Sequence, residues 1–339
     1  MSTLLNQTWA IALLSAFLIG AVLLAVHQAE VIAHKVGEPF GTLILALCVT
    51  IIEVALIISM MLAGSEGSEL IARDAVFAAI MIVLNGVVGL CIFVGGLRHR
   101  ELSFRIEGSN TALAVLAALA IFSLVMPVVT TSTPGPTFSN SQLAFAGIAS
   151  LALYGAFVFF QTVSHRTYFL PPQATQKLDG VAHPPLPSNL KTVISGILLI
   201  VSLILVVGLA KALSPVIEAG VMAINAPKAV VGIAIAALVL LPESLAAVRA
   251  ARANRLQSSL NLSLGSALAS IGLTIPAVAI ISIWFNLPIS LGINSAGIVF
   301  LFLTFLVSAL TLAIGRTTLM QGVVHLIIFF EYLFLSLVP

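Results

Sequence analysis

Ten runs of this chain are long and apolar enough to cross a lipid bilayer, and that constrains its fold more than any other feature. A helix rises about 1.5 Å per residue, so roughly 20 apolar residues cover the hydrocarbon core. The runs are residues 8–26, 40–62, 74–96, 111–129, 142–163, 191–212, 229–250, 260–283, 289–313 and 318–338. A chain of this kind is all-α, because in lipid each helix satisfies its own backbone polar groups. Composition agrees: 8% of residues are charged, against about 25% in a soluble domain. The predicted class is a polytopic membrane protein with the lipid bilayer as its surroundings. Cys48 and Cys91 both fall in apolar runs, so no disulfide framework is implied. The first run has no basic residue before it, the earliest being Lys35, and so does not read as a signal peptide.

The basic residues alternate in a way that supports ten crossings. Of 14 Lys and Arg, eleven fall in or beside the odd-numbered loops: Lys35, Arg98, Arg100, Arg105, Arg166, Lys177, Lys191, Arg249, Arg252, Arg255 and Arg316. The even-numbered loops hold the other three, Arg73, Lys211 and Lys228. Positive charge stays inside, which places the odd loops in the cytoplasm and both termini outside. The arginines at 249, 252 and 255 read as such an anchor and not as a nucleic-acid site.

The longest polar stretch, 164–190, is rich in proline and reads as a cytoplasmic linker. It divides the chain into five-helix halves, 1–163 and 191–339. With an odd number of crossings in each half, halves of like fold insert upside down relative to each other. Inverted repeats of this kind place a transport site at the midplane where they meet.

Two glutamates occupy that region. Glu53 lies in the second run of the first half and Glu243 in the second run of the second half. A carboxylate at the bilayer centre costs at least about 2.5–3.5 kcal/mol and usually lines an ion or proton path. Gly41 and Gly232 precede them at nearly equal distance. Pro242, just before Glu243, removes a backbone hydrogen bond, freeing carbonyls near Leu238 and Val239 as oxygen ligands. Thr50 is one turn before Glu53. The next run of each half adds Asn85, and Ser263, Ser266, Ser270 and Thr274 along one helix face. Pro276 is expected to end or kink that helix. Glu30, His34 and Glu38 flank the entry to the second run, while Glu66, Glu69 and Asp74 cluster on the opposite side.

Three blocks, GEPFGTLILALCVTIIEVALI, RDAVFAAIMIVLNGVVGLCIFVGGLRHRE and LVLLPESLAAVRAARANRLQSSLNLSLGSALASIGLTIP, resemble the bacterial calcium/proton antiporters of the calcium/cation antiporter superfamily. The resemblance covers the chain from about Glu30 onward. It implies two inverted five-helix halves, with alpha repeats at about 40–96 and 229–283, and a multi-pass protein of the bacterial inner membrane. Glu53 and Glu243 then correspond to the acidic residues of the two repeats, Asn85 to the polar position of the following helix, and Gly265–Ser266 to a Gly-Ser pair. The chain departs from some relatives where Thr50-Ile51-Ile52 replaces a Gly-Asn pair and where serines replace a second asparagine. Its linker carries one acidic residue, Asp179.

The expected activity is secondary antiport, Ca2+ against protons, without a cofactor. Ca2+ takes six to eight oxygens. Glu53, Glu243 and Asn85 would be its principal ligands, with Thr50, Ser266, Ser270, backbone carbonyls and water completing the shell. Protons would compete for the same carboxylates. Na+ or K+ in place of Ca2+ is the alternative on the same scaffold. A membrane-embedded enzyme is disfavoured, since no His-Glu-x-x-His or Gly-x-Ser-x-Gly stretch occurs.

Overall fold

The computed structural model describes residues 8–37, 40–63, 67–170, 187–223, 227 and 229–338. Most of the 164–190 linker, with Lys177 and Asp179, lies outside them, as do Glu38, Glu66 and Lys228. Among these described residues, ten helices are long and apolar enough to cross a membrane: spans 1 (Ala12–Val36), 2 (Leu43–Leu62), 3 (Ser68–His99), 4 (Ile106–Val129), 5 (Asn140–Ser164), 6 (Asn189–Leu209), 7 (Ala229–Arg252), 8 (Leu256–Phe285), 9 (Ser295–Leu312) and 10 (Leu319–Leu337). The chain is a polytopic helical membrane protein.

Helix ends follow backbone chemistry more closely than hydropathy. The first helix runs to Val36, ten residues past the apolar run. Nothing in His27–Lys35 breaks a helix, and the stop comes at Gly37, whose φ of 78° is left-handed. Glu30 and His34 therefore ride on the end of span 1, where they line a cavity together with Leu45 of span 2. Span 8 passes straight through Pro276, which neither ends nor divides it, and closes at Asn286, which is left-handed at φ 50°.

The packing repeats with the halves exchanged. Span 3 lies against spans 7 and 10, and span 8 lies against spans 2 and 5. Spans 1 and 6 pack along each other at the side of the bundle, leaning on span 2 more than on span 7. One apolar core gathers spans 3, 4, 5, 7, 8, 9 and 10, and a smaller one holds span 2 against spans 1 and 6. Small residues set the closest crossings. A Cβ on Gly232 would come within 2.7 Å of the Asp74 carbonyl carbon, so spans 7 and 3 meet backbone to backbone. A short antiparallel pair, β1 (Glu101–Ser103) and β2 (Arg316–Thr318), ties the loop after span 3 to the loop before span 10. Both loops lie on the arginine-rich face.

Spans 3, 4 and 5 each contain a π turn, at Ile82–Val87, Ile121–Val125 and Phe160–Ser164. Such turns insert a residue into the helical ladder and recur at functional positions. The first carries Asn85.

Candidate functional site

Span 2 carries Glu53 and span 7 carries Glu243. They are 1% and 3% exposed, deep inside an apolar bundle. Span 8 packs against both of these spans and offers a hydroxyl to each. Ser270 Oγ lies 2.6 Å from both oxygens of Glu53. Ser266 Oγ donates to Glu243 Oε2. The two serines are four residues apart, so they sit on one face of the helix, about 6 Å apart along its axis. The stripe read from the sequence thus meets both glutamates, one from each side of the linker.

The site is not saturated. Glu243 Oε1 is buried without a hydrogen-bond partner, and so are the hydroxyls of Ser263 and Thr274 on the same stripe. Buried polar atoms are normally paired. A carboxylate oxygen left open beside a second carboxylate is suited to a cation or a proton. Pro242 lies inside span 7 without ending it; lacking an N–H, it leaves the Leu238 carbonyl one turn back without its helical donor. Val239 and Thr50 are both buried, at one turn from Glu243 and Glu53 respectively. Among the described residues no group of three or more His, Cys, Asp or Glu side chains could hold a metal ion. Any cation here must draw on carboxylates, hydroxyls, carbonyls and water.

Asn85 does not join this constellation. Its Nδ2 donates to Thr304 Oγ1 at 2.8 Å, and its Oδ1 lies 3.0 Å from His325 Nδ1. An amide oxygen only accepts, so His325 carries its proton on Nδ1. Its Nε2 then accepts from Thr311 Oγ1 at 3.1 Å. Thr304 in turn contacts Met81 Sδ at 3.4 Å. The amide read from the sequence as a cation ligand is held in a satisfied polar network joining spans 3, 9 and 10. The sequence signal available for that network is His325, a histidine within the apolar run 318–338.

The outer acidic residues also separate. Asp74 pairs with Arg73 at 2.7 Å, and Arg73 donates to the Gly292 carbonyl, at the rim of a cavity of about 200 Å3 between spans 3, 7, 9 and 10. Glu331 is exposed, on a different face from the buried His325. Sequence reading missed Tyr154 and Gln161 on span 5, which approach the site from the side. Gln161 is a buried amide in an apolar run, and that was the available signal.

The sequence matches the sodium/calcium exchanger protein family over residues 6–163 and 194–338, on either side of the linker. It is 50% identical to a Sinorhizobium fredii protein named as an ionic transporter, y4hA, over 95% of this chain and 87% of that one. It is 34% identical to the sodium-potassium/proton antiporter ChaA of Escherichia coli, over 91% of this chain and 83% of that one. The crystal structure of an H+/Ca2+ exchanger, CAX, superposes with a TM-score of 0.72 at 17% identity, covering 97% of this chain and 81% of that one. At that identity the likeness is one of fold.

Proposed function

We propose that this chain, which belongs to the sodium/calcium exchanger protein family, is a secondary antiporter that exchanges Ca2+ for protons. The observation that carries the reading is the pair of buried glutamates from opposite halves, each facing a span 8 hydroxyl, with one carboxylate oxygen unpartnered. Two carboxylates match the charge of Ca2+. Glu53, Glu243, Ser266 and Ser270 form the protein part of the shell, with the Leu238 and Val239 carbonyls nearby and water completing it. Two protons neutralise the same carboxylates when the ion leaves. Competition for one pair of oxygens gives exchange, provided the site opens to one side at a time and the empty, charged form does not cross. The halves 1–163 and 191–339 act as inverted repeats whose rocking switches access. The protein sits in a bacterial inner membrane with its arginine-rich face in the cytoplasm.

A second reading, Na+ or K+ against protons, is favoured by one feature of the site. With the Asn85 amide committed to Thr304 and His325, the site offers few neutral oxygens, whereas Ca2+ takes six to eight. The Escherichia coli relative carries that substrate pair in its name.

Proton flux in proteoliposomes, with Ca2+, Na+ and K+ added separately, decides between them. Proton release on micromolar Ca2+ supports calcium. Response to the monovalent ions alone keeps the site and changes the substrate. Glu53→Gln and Glu243→Gln are each expected to abolish exchange in folded protein, and wild-type rates in either would overturn the assignment.

A further inference from the structure

Two openings on the arginine-rich face lie on either side of span 2, and the narrower one reaches Ser266. Between spans 1, 2 and 8 is a cavity of about 280 Å3, lined by Glu30, His34, Leu45 and Leu262 among others. Between spans 2, 5 and 8 is a crevice of about 10 Å3, whose lining includes Tyr154, Gln161, Asn261, Gly265 and Ser266. Leu262 borders both. The two differ in what they admit. One water needs about 10–15 Å3 of such cavity space, so the six waters around a cation need about 60–90 Å3. The cavity accommodates that, while the crevice has room for about one water molecule.

The crevice sets Tyr154, Gln161, Asn261 and Ser266 among the apolar side chains of Leu43, Ala46, Phe157 and Leu262. Its inner wall is Ser266, whose hydroxyl donates to Glu243 Oε2. Tyr154 lines the crevice together with Ser266, wedged against span 8 at Gly272, where a Cβ would meet the Tyr154 Cβ at 2.6 Å. Gln161, one residue into the π turn that closes span 5, stands nearer the arginine-rich end. Asn261 is fixed by hydrogen bonds to Gln257 and to the Phe169 carbonyl. Gly265 faces open space, with nothing within 4 Å of an added Cβ.

We infer that the crevice between spans 2, 5 and 8 is a proton passage to Glu243, separate from the wider cavity that admits the cation. The inference rests on the proposed alternation of cation and protons at Glu53 and Glu243. A hydronium in the crevice gives a proton to Ser266 Oγ as the Ser266 hydroxyl proton passes to Glu243 Oε2. The serine is regenerated, the carboxylate is neutralised and water remains. Gln161 and Tyr154 act as positioning residues that keep this single-file passage polar.

The test compares two transport modes of the full-length protein in proteoliposomes. Net cation/proton exchange needs proton access, whereas exchange of labelled for unlabelled cation on opposite sides does not. The probes are 45Ca2+ and 22Na+. Gly265→Val fills the crevice, Gln161→Leu removes its polar entry, and Gly265→Ala is the conservative control that the open space accommodates. The expected result for the Val and Leu variants is a tenfold or greater loss of net cation/proton exchange, with a larger D2O effect and cation self-exchange within twofold of wild type. Gly265→Ala stays near wild type in both modes. Equal loss of both modes in protein with unchanged thermal unfolding overturns the separate passage, as does no loss in either. Failure of the underlying reading looks different: wild type would then exchange no cation for protons, or Glu243→Gln would still do so.

Discussion

Glu53 and Glu243 differ in how completely they are satisfied. Ser270 spans both oxygens of Glu53, whereas Ser266 meets one oxygen of Glu243 and leaves the other bare. Glu243 is therefore the carboxylate with an oxygen already free for the ion. A hydrogen bond to a charged group is worth about 1.5–3 kcal/mol, and each 1.4 kcal/mol or so is tenfold in affinity. Ser270→Ala is expected to weaken cation affinity about tenfold, measured by equilibrium binding in detergent. The dependence on pH has a definite sign. Bound cation needs deprotonated ligands, so apparent affinity rises with pH and levels off once both carboxylates are free of protons. Below that plateau it changes by about tenfold per pH unit for each proton displaced, and a slope approaching two protons is the signature of both glutamates. A flat affinity across the range would mean that protons and cations do not share these oxygens.

Span 3 shows how one element can be legible in outline while its side-chain partners are not. Its place was legible from the apolar run 74–96, although the helix extends beyond it at both ends, over Ser68–His99, and Asn85 stood out as the one amide within it. What the sequence did not show was the direction of that amide. The π turn at Ile82–Val87 shifts the helical phase, and Asn85 faces His325 and Thr304 on spans more than two hundred residues away in the chain. Such a pairing depends on tertiary contacts that no local periodicity encodes. The serine stripe of span 8 was legible for the opposite reason, because i, i+4 spacing fixes a common face without tertiary knowledge. Even so, the assignment of Ser266 to Glu243 and Ser270 to Glu53 needed the packing. The network makes a prediction that separates support from ligation. His325→Leu strands the Asn85 oxygen and the Thr311 hydroxyl in the interior, at about 1–3 kcal/mol for each group left unsatisfied. The variant is expected to lower the thermal unfolding temperature markedly while leaving cation affinity within about twofold. A large loss of affinity with unchanged stability would return Asn85 to the cation shell.

The whole molecule is polarised by its loops, and every statement about entry and exit depends on which face meets the cytoplasm. Eleven of the 14 Lys and Arg lie in or beside the odd-numbered loops, and the structure collects several at one end of the bundle. Arg98 ends span 3 and Arg100 follows it, Arg249 and Arg252 end span 7, Arg255 precedes span 8, and Arg316 lies in β2, which pairs with β1. The cavity beside Glu30 and the crevice beside Gln161 open at that end. The Arg73–Asp74 pair and its 200 Å3 cavity lie at the other. Retention of positive loops inside predicts that the first pair of openings is cytoplasmic. The orientation can be read directly because both native cysteines, Cys48 and Cys91, are buried and give little background labelling. Ala253→Cys places an exposed thiol in the loop between spans 7 and 8, and Thr131→Cys one in the loop between spans 4 and 5. With a membrane-impermeant maleimide, the Thr131→Cys variant is expected to label in right-side-out vesicles and the Ala253→Cys variant in inside-out vesicles. The reverse pattern would invert the molecule and turn the cavity and crevice into external openings. Equal labelling of each variant in both preparations would mean a dual orientation, which the charge asymmetry of the loops opposes.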